Sequence, residues 1–208
     1  MYQPVKRIFD FMLSLGALIF LAPLLLSVAA WVKADSPGPI LFRQKRIGQH
    51  KKFFNILKFR TMRTDTPATV PTHQLANPQA FITRSGAFLR RSSLDELPQL
   101  FNILKGDMSL VGPRPALYNQ DDLVAERDRW KANEVPMGLT GWAQINGRDK
   151  LSIPVKAFLD GEYVRRRNFA LDLRILGLTF LNVFRSSGII EGGTSTIKRG
   201  DADNSRKN

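Results

Sequence analysis

The longest hydrophobic run of the chain lies near its N-terminus, where residues 11–32 contain no charged side chain. By length this run can cross a bilayer, since about 20 apolar helical residues match its ~30 Å hydrocarbon core. Basic residues flank both ends, with Lys6 and Arg7 before the run and Lys33 after it, so neither end is typical of a translocated segment. Pro23 lies in the interior, where it costs about 3 kcal/mol unless the helix bends. We therefore predict a re-entrant membrane helix that breaks at Pro23.

Three other interpretations of this run are open: a single membrane span, a cleaved secretory signal and a buried core helix. A secretory signal is consistent with the small residues Ser27, Ala29 and Ala30, but its apolar core would be too long. A helix that is apolar on all sides over this length is unusual inside a small soluble domain.

The pattern after residue 35 predicts short elements separated by clear breaks. A proline- and glycine-rich stretch at 36–39 ends the apolar run. Residues 40–47 and 53–59 flank a turn and predict a β-hairpin. Apolar side chains recur on one helical face over 95–105, and Gly106 directly after them is a typical helix stop.

The remaining segments differ in how strongly they predict structure. Residues 64–78 are predicted to be a loop, and 121–133 a helix whose acids precede its bases, as the helix dipole favours. Glycines divide 138–148 into turn and strand. The amphipathic segment 171–184 suits a helix at a membrane interface, or equally a helix that faces the core. From 191 onward the chain is polar, and we expect it to be disordered.

The composition narrows the partners and the chemistry. Lys and Arg number 31 against 18 Asp and Glu, a net charge of +13, which indicates an anionic partner such as nucleic acid, anionic lipid or a phosphorylated substrate. The adjacent apolar run favours a membrane surface, where each cation contributes about 1 kcal/mol. Cysteine is absent and only His50 and His73 are present, so thiol chemistry is excluded and a multi-histidine metal site is disfavoured.

Two adjacent acids, Asp95 and Glu96, are the most distinctive candidates for chemistry. They precede Pro98, at the expected start of a helix. One interpretation is structural, because Ser93 and Glu96 match a capping box. The other is chemical, because a carboxylate pair can hold Mg²⁺ or supply a nucleophile.

Four basic residues accompany the acidic pair. Lys58 and Arg60 are two apart on a predicted strand and should project from one face. Arg90 shortly precedes the acids, and Arg114 lies between two prolines that restrict the backbone around its guanidinium. Considered alone, each of the four can be explained as a solvated basic residue on the surface. Together with two carboxylates they are typical of a phosphoryl-transfer site.

The glycine-punctuated segment offers side chains for recognising a base or a sugar. These are Trp142, Gln144, Asn146 and Arg148. A purely structural interpretation, a tight hairpin packed by Trp142, explains the same pattern, and physical arguments alone do not separate the two.

Four blocks of the sequence stand out together: KFRTM at 58–62, SLDELPQL at 93–100, GDMSLVGPRP at 106–115 and GWAQINGR at 141–148. They resemble the signature blocks of the bacterial sugar transferases, the monotopic phosphoglycosyl transferases. They occur in order with fitting spacing, within a resemblance that runs from about residue 6 to residue 184. The length is similar to that of members that contain only the catalytic domain.

This resemblance implies an enzyme that moves a sugar 1-phosphate from a UDP-sugar to undecaprenyl phosphate and releases UMP. In the family the aspartate of the acidic pair is the nucleophile, here Asp95, and its partner, here Glu96, helps to hold Mg²⁺. The family's re-entrant helix breaks at a proline, here Pro23. The chain departs from the pattern at Ala22, where some members have serine, and around 77–84, where a basic residue does not align.

We therefore expect Asp95 and Glu96 to be catalytic and to hold Mg²⁺ as the cofactor. The expected contacts to substrate phosphate are Lys58, Arg60, Arg90 and Arg114, and those to the nucleotide are Gln144 and Arg148.

The expected fold is α+β and mainly helical. It comprises a re-entrant anchor (1–35), a cytoplasmic-face catalytic domain with a short β-hairpin and interfacial helices (36–188) and a disordered tail (189–208). Expected partners are a UDP-sugar, undecaprenyl phosphate and the bacterial inner membrane, with a homodimer or downstream glycosyltransferases as further candidates. A competing hypothesis is a non-catalytic membrane-surface protein that binds anionic lipid or an acidic partner. Nucleic acid is not expected, because the basic residues lack a recognisable reading motif.

Overall fold

The computed structural model describes residues 2–66, 78–147 and 150–185, and in this part the chain is mainly helical with short strands. This confirms the prediction of a mainly helical fold with a short sheet. The helices are α1 Tyr2–Asp35, α2 Arg84–Ser92, α3 Gln99–Lys105, α4 Asp121–Arg129, α5 Trp142–Ile145, α6 Ile153–Arg166 and α7 Phe169–Arg185. The strands are β1 Leu41–Ile47, β2 Phe53–Phe59, β3 Ser109–Val111, β4 Ala116–Leu117 and β5 Gly138–Thr140. Short 3₁₀ turns lie at Gln49–Lys51, Pro78–Phe81 and Leu94–Glu96.

The predicted hairpin is confirmed. β1 and β2 pair antiparallel, with Leu41 opposite Phe59 and Ile47 opposite Phe53. The turn between them contains His50, whose φ is positive at 53°. β4 pairs antiparallel with the free edge of β1, which gives a three-stranded sheet in the order β2-β1-β4.

The segment predicted as turn and strand forms part of a second, parallel pair. β5 pairs with β3, so that Ser109 lies opposite Gly138 and Val111 opposite Thr140. The tight-hairpin interpretation of this segment is therefore wrong, because the partner of β5 comes from an earlier part of the chain. The backbones approach closely here, and a side chain at Gly112 would collide with the carbonyl of Pro136.

The N-terminal run forms one helix of 34 residues with Pro23 inside it. At 1.5 Å per residue it is about 50 Å long, and it is long and apolar enough to cross a membrane. The helix continues through Pro23 without an interruption. The re-entrant path through the membrane stays a prediction. Ser27 Oγ donates to the Pro23 carbonyl at 2.8 Å, a bond of the kind that often bends helices.

α1 presents one face to the rest of the molecule along its whole length. Before Pro23, Leu18 packs in a cluster with Leu100 and Ile103. After it, Val28 and Val32 pack in a second cluster. Only 17% of its most apolar stretch is buried, so the core-helix interpretation is wrong. Large apolar side chains cover the opposite, exposed face, among them Ile8, Phe9, Met12, Ile19, Phe20 and Leu26.

Two helix predictions need correction at one end. The helix expected over 95–105 starts later, at Gln99, because the acids lie in the preceding 3₁₀ turn; it ends at Gly106 with a φ of +100° as expected. The helix expected over 121–133 ends at Arg129, since Lys131 has a positive φ.

The helix predicted over 171–184 is confirmed as α7. Ile175 is fully buried, while Leu173 and Phe180 are 67% and 64% exposed. One side of α7 therefore lies in the core, and the interfacial role of its exposed apolar side stays a prediction. Most of the predicted loop, as well as the predicted tail, lies outside the described residues.

Candidate active site

Three different parts of the chain bring the acidic pair and its cations together. Lys58 lies near the end of β2, Asp95 and Glu96 lie in the 3₁₀ turn between α2 and α3, and Arg114 lies in the loop between β3 and β4. Ser93 has a left-handed conformation with a φ of 58°, which turns the chain sharply out of α2. We call Lys58, Asp95, Glu96 and Arg114 the acidic-pair cluster.

Glu96 accepts hydrogen bonds from two cations. Lys58 Nζ donates to Glu96 Oε1 at 2.8 Å, and the guanidinium of Arg114 donates to Oε1 at 2.5 Å and to Oε2 at 3.3 Å. Ser93, by contrast, makes no capping hydrogen bond through its side chain. The capping-box interpretation is therefore wrong, because the Glu96 carboxylate points to basic side chains rather than to its own helix start.

These cations determine the charge of Glu96. Burial alone would raise the pKa of this carboxyl, since a charged group loses hydration in the interior. The charges of Arg114 and Lys58, with the hydrogen bonds they donate, overcome this and hold the pKa of Glu96 well below its ordinary value. Glu96 is therefore an anion at neutral pH.

Asp95 lies beside the same lysine. Its carboxylate Oδ2 is 4.0 Å from Lys58 Nζ, and the residue is only 3% exposed. Lys58 therefore interacts with both members of the acidic pair. A buried carboxylate next to a cation, in a cluster with balanced formal charge, has the surroundings expected of a nucleophile that must work near a phosphate.

Two further predicted phosphate ligands lie in different surroundings. Arg90, in the last turn of α2, donates from Nε to Thr61 Oγ1 at 2.9 Å. Arg60 is buried, and its guanidinium donates to the Ser36 carbonyl at 2.7 Å and to that of Pro37. Arg60 thus links the residues that follow α1 to the end of β2. Lys58, two residues earlier, binds Glu96 instead. A contact of either arginine with phosphate stays a prediction.

The structure describes one of the two residues that are predicted to contact the nucleotide. Gln144 lies on α5 and donates from Nε2 to the Leu139 carbonyl at 3.0 Å, while its buried Oε1 has no hydrogen-bond partner in the described chain. A side chain at Gly141 would collide with both the Gly112 carbonyl and Gln144 Oε1. Gln144 therefore lies close to the backbone that leads into Arg114. Arg148 lies outside the described residues.

Asp95 and Glu96 are the side chains of the site that could hold a divalent cation. Among the described residues, no three or more His, Cys, Asp or Glu side chains gather into a metal site. Asp95 and Glu96 supply two adjacent carboxylates, and Mg²⁺ is commonly held by one or two carboxylates together with substrate phosphates and water. The pair therefore fits a cation that is held jointly by protein and substrate.

Sequence reasoning missed a second buried group of charges, which we call the helix-anchoring cluster. Lys6 Nζ lies 2.8 Å from Asp172 Oδ2 and 3.6 Å from Asp10 Oδ1. Tyr163 donates to Asp172 at 2.9 Å, and Ser109 donates to Asp10 at 2.7 Å. The available signal was the spacing of Lys6 and Asp10, one helical turn apart at the start of a long apolar helix.

Comparison with known proteins shows the family of this chain. The chain belongs to the bacterial sugar transferase family, which matches residues 1–186. It is 40% identical to the uncharacterized sugar transferase EpsL of Bacillus subtilis, over 94% of this chain and 95% of that protein. It is 43% identical to the exopolysaccharide production protein PSS of Rhizobium leguminosarum, over 83% of this chain and 91% of that protein.

Longer relatives carry more specific names. The undecaprenyl-phosphate glucose phosphotransferase of Komagataeibacter xylinus is 44% identical over 84% of this chain, but the match covers 35% of that protein. The UDP-glucose:undecaprenyl-phosphate glucose-1-phosphate transferase of Escherichia coli is 39% identical over 87% of this chain and 40% of its own length. The chain therefore spans less than half of these longer relatives.

Proposed function

We propose that this chain transfers a sugar 1-phosphate from a UDP-sugar to undecaprenyl phosphate and releases UMP, as the first membrane step of surface glycan or glycoconjugate synthesis. The observation that carries the proposal is the buried acidic-pair cluster, in which Glu96 binds Lys58 and Arg114 and Asp95 lies beside Lys58. The names of the longer relatives support the same reaction.

Asp95 is the proposed nucleophile. A carboxylate oxygen of Asp95 attacks the phosphorus that bears the sugar, the bond from this phosphorus to the UMP oxygen breaks, and UMP leaves with the bonding electrons. The sugar phosphate is then held on Asp95 as an acyl phosphate. A phosphate oxygen of undecaprenyl phosphate attacks the same phosphorus and restores the Asp95 carboxylate, so each displacement exchanges one oxygen ligand of phosphorus for another.

The basic residues of the site stabilise the phosphate charge. Lys58 and Arg114 have N–H groups that point to the Glu96 carboxylate, and phosphate oxygens present the same acceptor chemistry. Arg90 adds positive charge next to Thr61, close to the end of β2. Mg²⁺ held by Glu96 and Asp95 would neutralise the diphosphate and the departing UMP.

The contacts at the two ends of α1 support attachment to one membrane face. At the start of the helix, Lys6 pairs with Asp172. At its end, the Asp35 carboxylate accepts hydrogen bonds from the backbone and side chain of Ser85, at 2.8 and 2.7 Å. A helix that crosses a bilayer has its ends on opposite sides of a ~30 Å hydrocarbon core, whereas here both ends of α1 contact the same folded unit. We propose that the exposed apolar face of α1 contacts the inner membrane, with the site facing the cytoplasm.

The experiment is an assay of UMP release across a panel of UDP-sugars, with undecaprenyl phosphate and Mg²⁺. We expect one or a few UDP-sugars to give turnover in the parent protein, and Asp95→Asn to abolish it. Asp128→Asn is the matched control, because Asp128 is an exposed acid that pairs with Lys51 away from the site. Turnover retained in Asp95→Asn, or the absence of UMP release with every UDP-sugar, would contradict the proposal.

A further inference from the structure

Gln99 is completely buried, and neither end of its amide is hydrogen bonded. Its exposure is 0%, and both Nε2 and Oε1 lack a partner within the described chain. Leaving a buried polar group unpaired costs about 1–3 kcal/mol, and native proteins contain few such groups. An amide with two unpaired atoms at the first residue of α3 therefore calls for a physical explanation.

The position of Gln99 connects it with the acidic pair. Backbone angles from Leu97 to Pro98 are helical, so Asp95 and Glu96 lie four and three residues earlier on the same side of one helical segment. Long helical side chains lean over the preceding turn, which here contains the two acids.

The polar neighbours of Gln99 on this side are both bonded to β2. Glu96 binds Lys58, and Asn102, one turn after Gln99, accepts from the Leu57 backbone at 3.0 Å and donates to the Asn55 carbonyl at 2.8 Å. Gln99 lies between these two connections, where its amide has no such bond.

The electrostatics of the cluster indicate when the amide is needed. Lys58 and Arg114 both donate hydrogen bonds to Glu96. Phosphate oxygens that bind these same N–H groups must take some of them from Glu96. Carboxylate oxygens of the pair that lose these donors and do not contact a bound cation then need another donor, because a buried charge without donors is strongly disfavoured.

We propose that Gln99 is a positioning residue whose amide N–H₂ donates to the acidic pair when substrate phosphate engages Lys58 and Arg114. The amide that is unpaired in this structure would thus gain its hydrogen-bond partner in the substrate-bound state. The inference rests on the proposed function, since it requires a phosphate ligand at the cluster.

The test is Gln99→Met, which keeps the length and the unbranched shape of the side chain and removes both polar atoms. If the amide is unpaired in the free protein, this change removes a desolvation cost and should leave the melting temperature unchanged or raise it. The kcat for UMP release should fall about ten- to a hundredfold, the loss expected for one hydrogen bond to a charged group. The KM for the UDP-sugar should change little, because the lost bond acts on the acids.

Ser14→Ala is the matched control. Ser14 is also 0% exposed with an unpaired Oγ in the described chain, but it lies on α1, whereas the acidic pair lies in the turn before α3. Its removal should likewise spare the melting temperature, and kcat should stay unchanged. Gln99→Leu, with another apolar side chain, should reproduce the result of Gln99→Met.

The outcomes separate the inference from the proposed function. An active parent protein with full kcat in Gln99→Met overturns the inference alone. A lower melting temperature in both Gln99 variants also overturns it, because the amide would then have a structural partner such as a trapped water. If the parent protein releases no UMP from any UDP-sugar, the proposed function fails and the inference fails with it.

Discussion

Two of the buried groups of acids and cations in the described part of the chain, the helix-anchoring cluster and the acidic-pair cluster, differ in their hydrogen-bond donors. In the helix-anchoring cluster, Asp172 accepts from Lys6 and also from the neutral hydroxyl of Tyr163. In the acidic-pair cluster, the donors to Glu96 include two cationic side chains, Lys58 and Arg114.

This difference separates a structural role from a chemical one. Burial, followed by the neighbouring Asp172 charge, raises the pKa of the Tyr163 hydroxyl, so that it stays a neutral donor at any physiological pH. The Tyr163 hydroxyl lies 2.9 Å from Asp172 Oδ1 and 3.1 Å from the Val111 carbonyl oxygen, and a neutral donor in such surroundings suits permanent packing. Lysine and arginine suit exchange, because the N–H groups that bind a carboxylate also bind phosphate.

The largest expected effect is on the stability of the helix-anchoring cluster. Asp172→Ala leaves Lys6 buried next to fewer acids, and breaking a buried ion pair costs about 3–5 kcal/mol. We expect the melting temperature to fall by roughly 6–20 °C, while the kcat of the folded fraction changes only a few-fold. Asp128→Ala, at the exposed Lys51 pair, is the control, with an expected cost of about 0–1 kcal/mol. A similar melting temperature in both variants would show that the anchoring cluster contributes little.

The next largest effect is a loss of activity when the acidic-pair cluster is changed. Arg114→Ala removes a cation from the acidic pair, and loss of one such electrostatic contact lowers kcat by about a hundred- to a thousandfold. Sedimentation with membranes should be unaffected, since Arg114 lies in the loop between β3 and β4 rather than on the exposed face of α1. Loss of membrane binding with retained turnover would point instead to a lipid-binding role for Arg114.

A smaller effect is expected from Tyr163→Phe. The change removes a hydroxyl that donates to Asp172 at 2.9 Å, but Lys6 and the Tyr2 hydroxyl still donate to the same carboxylate. We expect a loss of about 1–2 kcal/mol in the free energy of unfolding, measured by denaturant titration in detergent. A cost as large as that of Asp172→Ala would mean that the hydroxyl, rather than the ion pair, dominates this cluster.

The smallest expected effect is the pH dependence of the stability that Glu96 contributes. The pKa of Glu96 is lower in the folded protein than in the unfolded chain, so ionised Glu96 stabilises the fold above the unfolded value of about 4.3. This contribution is lost progressively as the pH falls below that value towards the folded pKa. The difference in melting temperature between the parent protein and Glu96→Gln should therefore be constant from pH 7 to 5 and shrink below about pH 4. A difference that grows on acidification would contradict the assigned charge.

Local sequence patterns predicted much of the acidic-pair cluster. The strand at Lys58, the adjacent acids and the proline-flanked Arg114 each leave a short signal, and family resemblance places them together. Arg60 shows the limit of such a pattern. Because β2 ends at Phe59, the alternation of strand side chains no longer applies to Arg60, and its guanidinium binds the end of α1 instead.

The helix-anchoring cluster could not be predicted in the same way. Lys6 and Asp172 are 166 residues apart, and only the packing of α1 against α7 joins them. The unpaired state of Gln99 was equally hidden, since a glutamine in an amphipathic helix gives no sign that its amide lacks a partner. Local propensity predicts elements, whereas the choice of buried polar partners depends on tertiary contacts.

The most direct test of the account is the site of covalent attachment. The protein is incubated with the active UDP-sugar and Mg²⁺ without undecaprenyl phosphate, quenched in acid and analysed by peptide mass spectrometry. We expect a sugar phosphate on the peptide that contains Asp95, at Asp95 itself, with release of an equal amount of UMP. An adduct on another residue, or none in a preparation that turns over when the lipid phosphate is added, would contradict the central claim that Asp95 is the nucleophile.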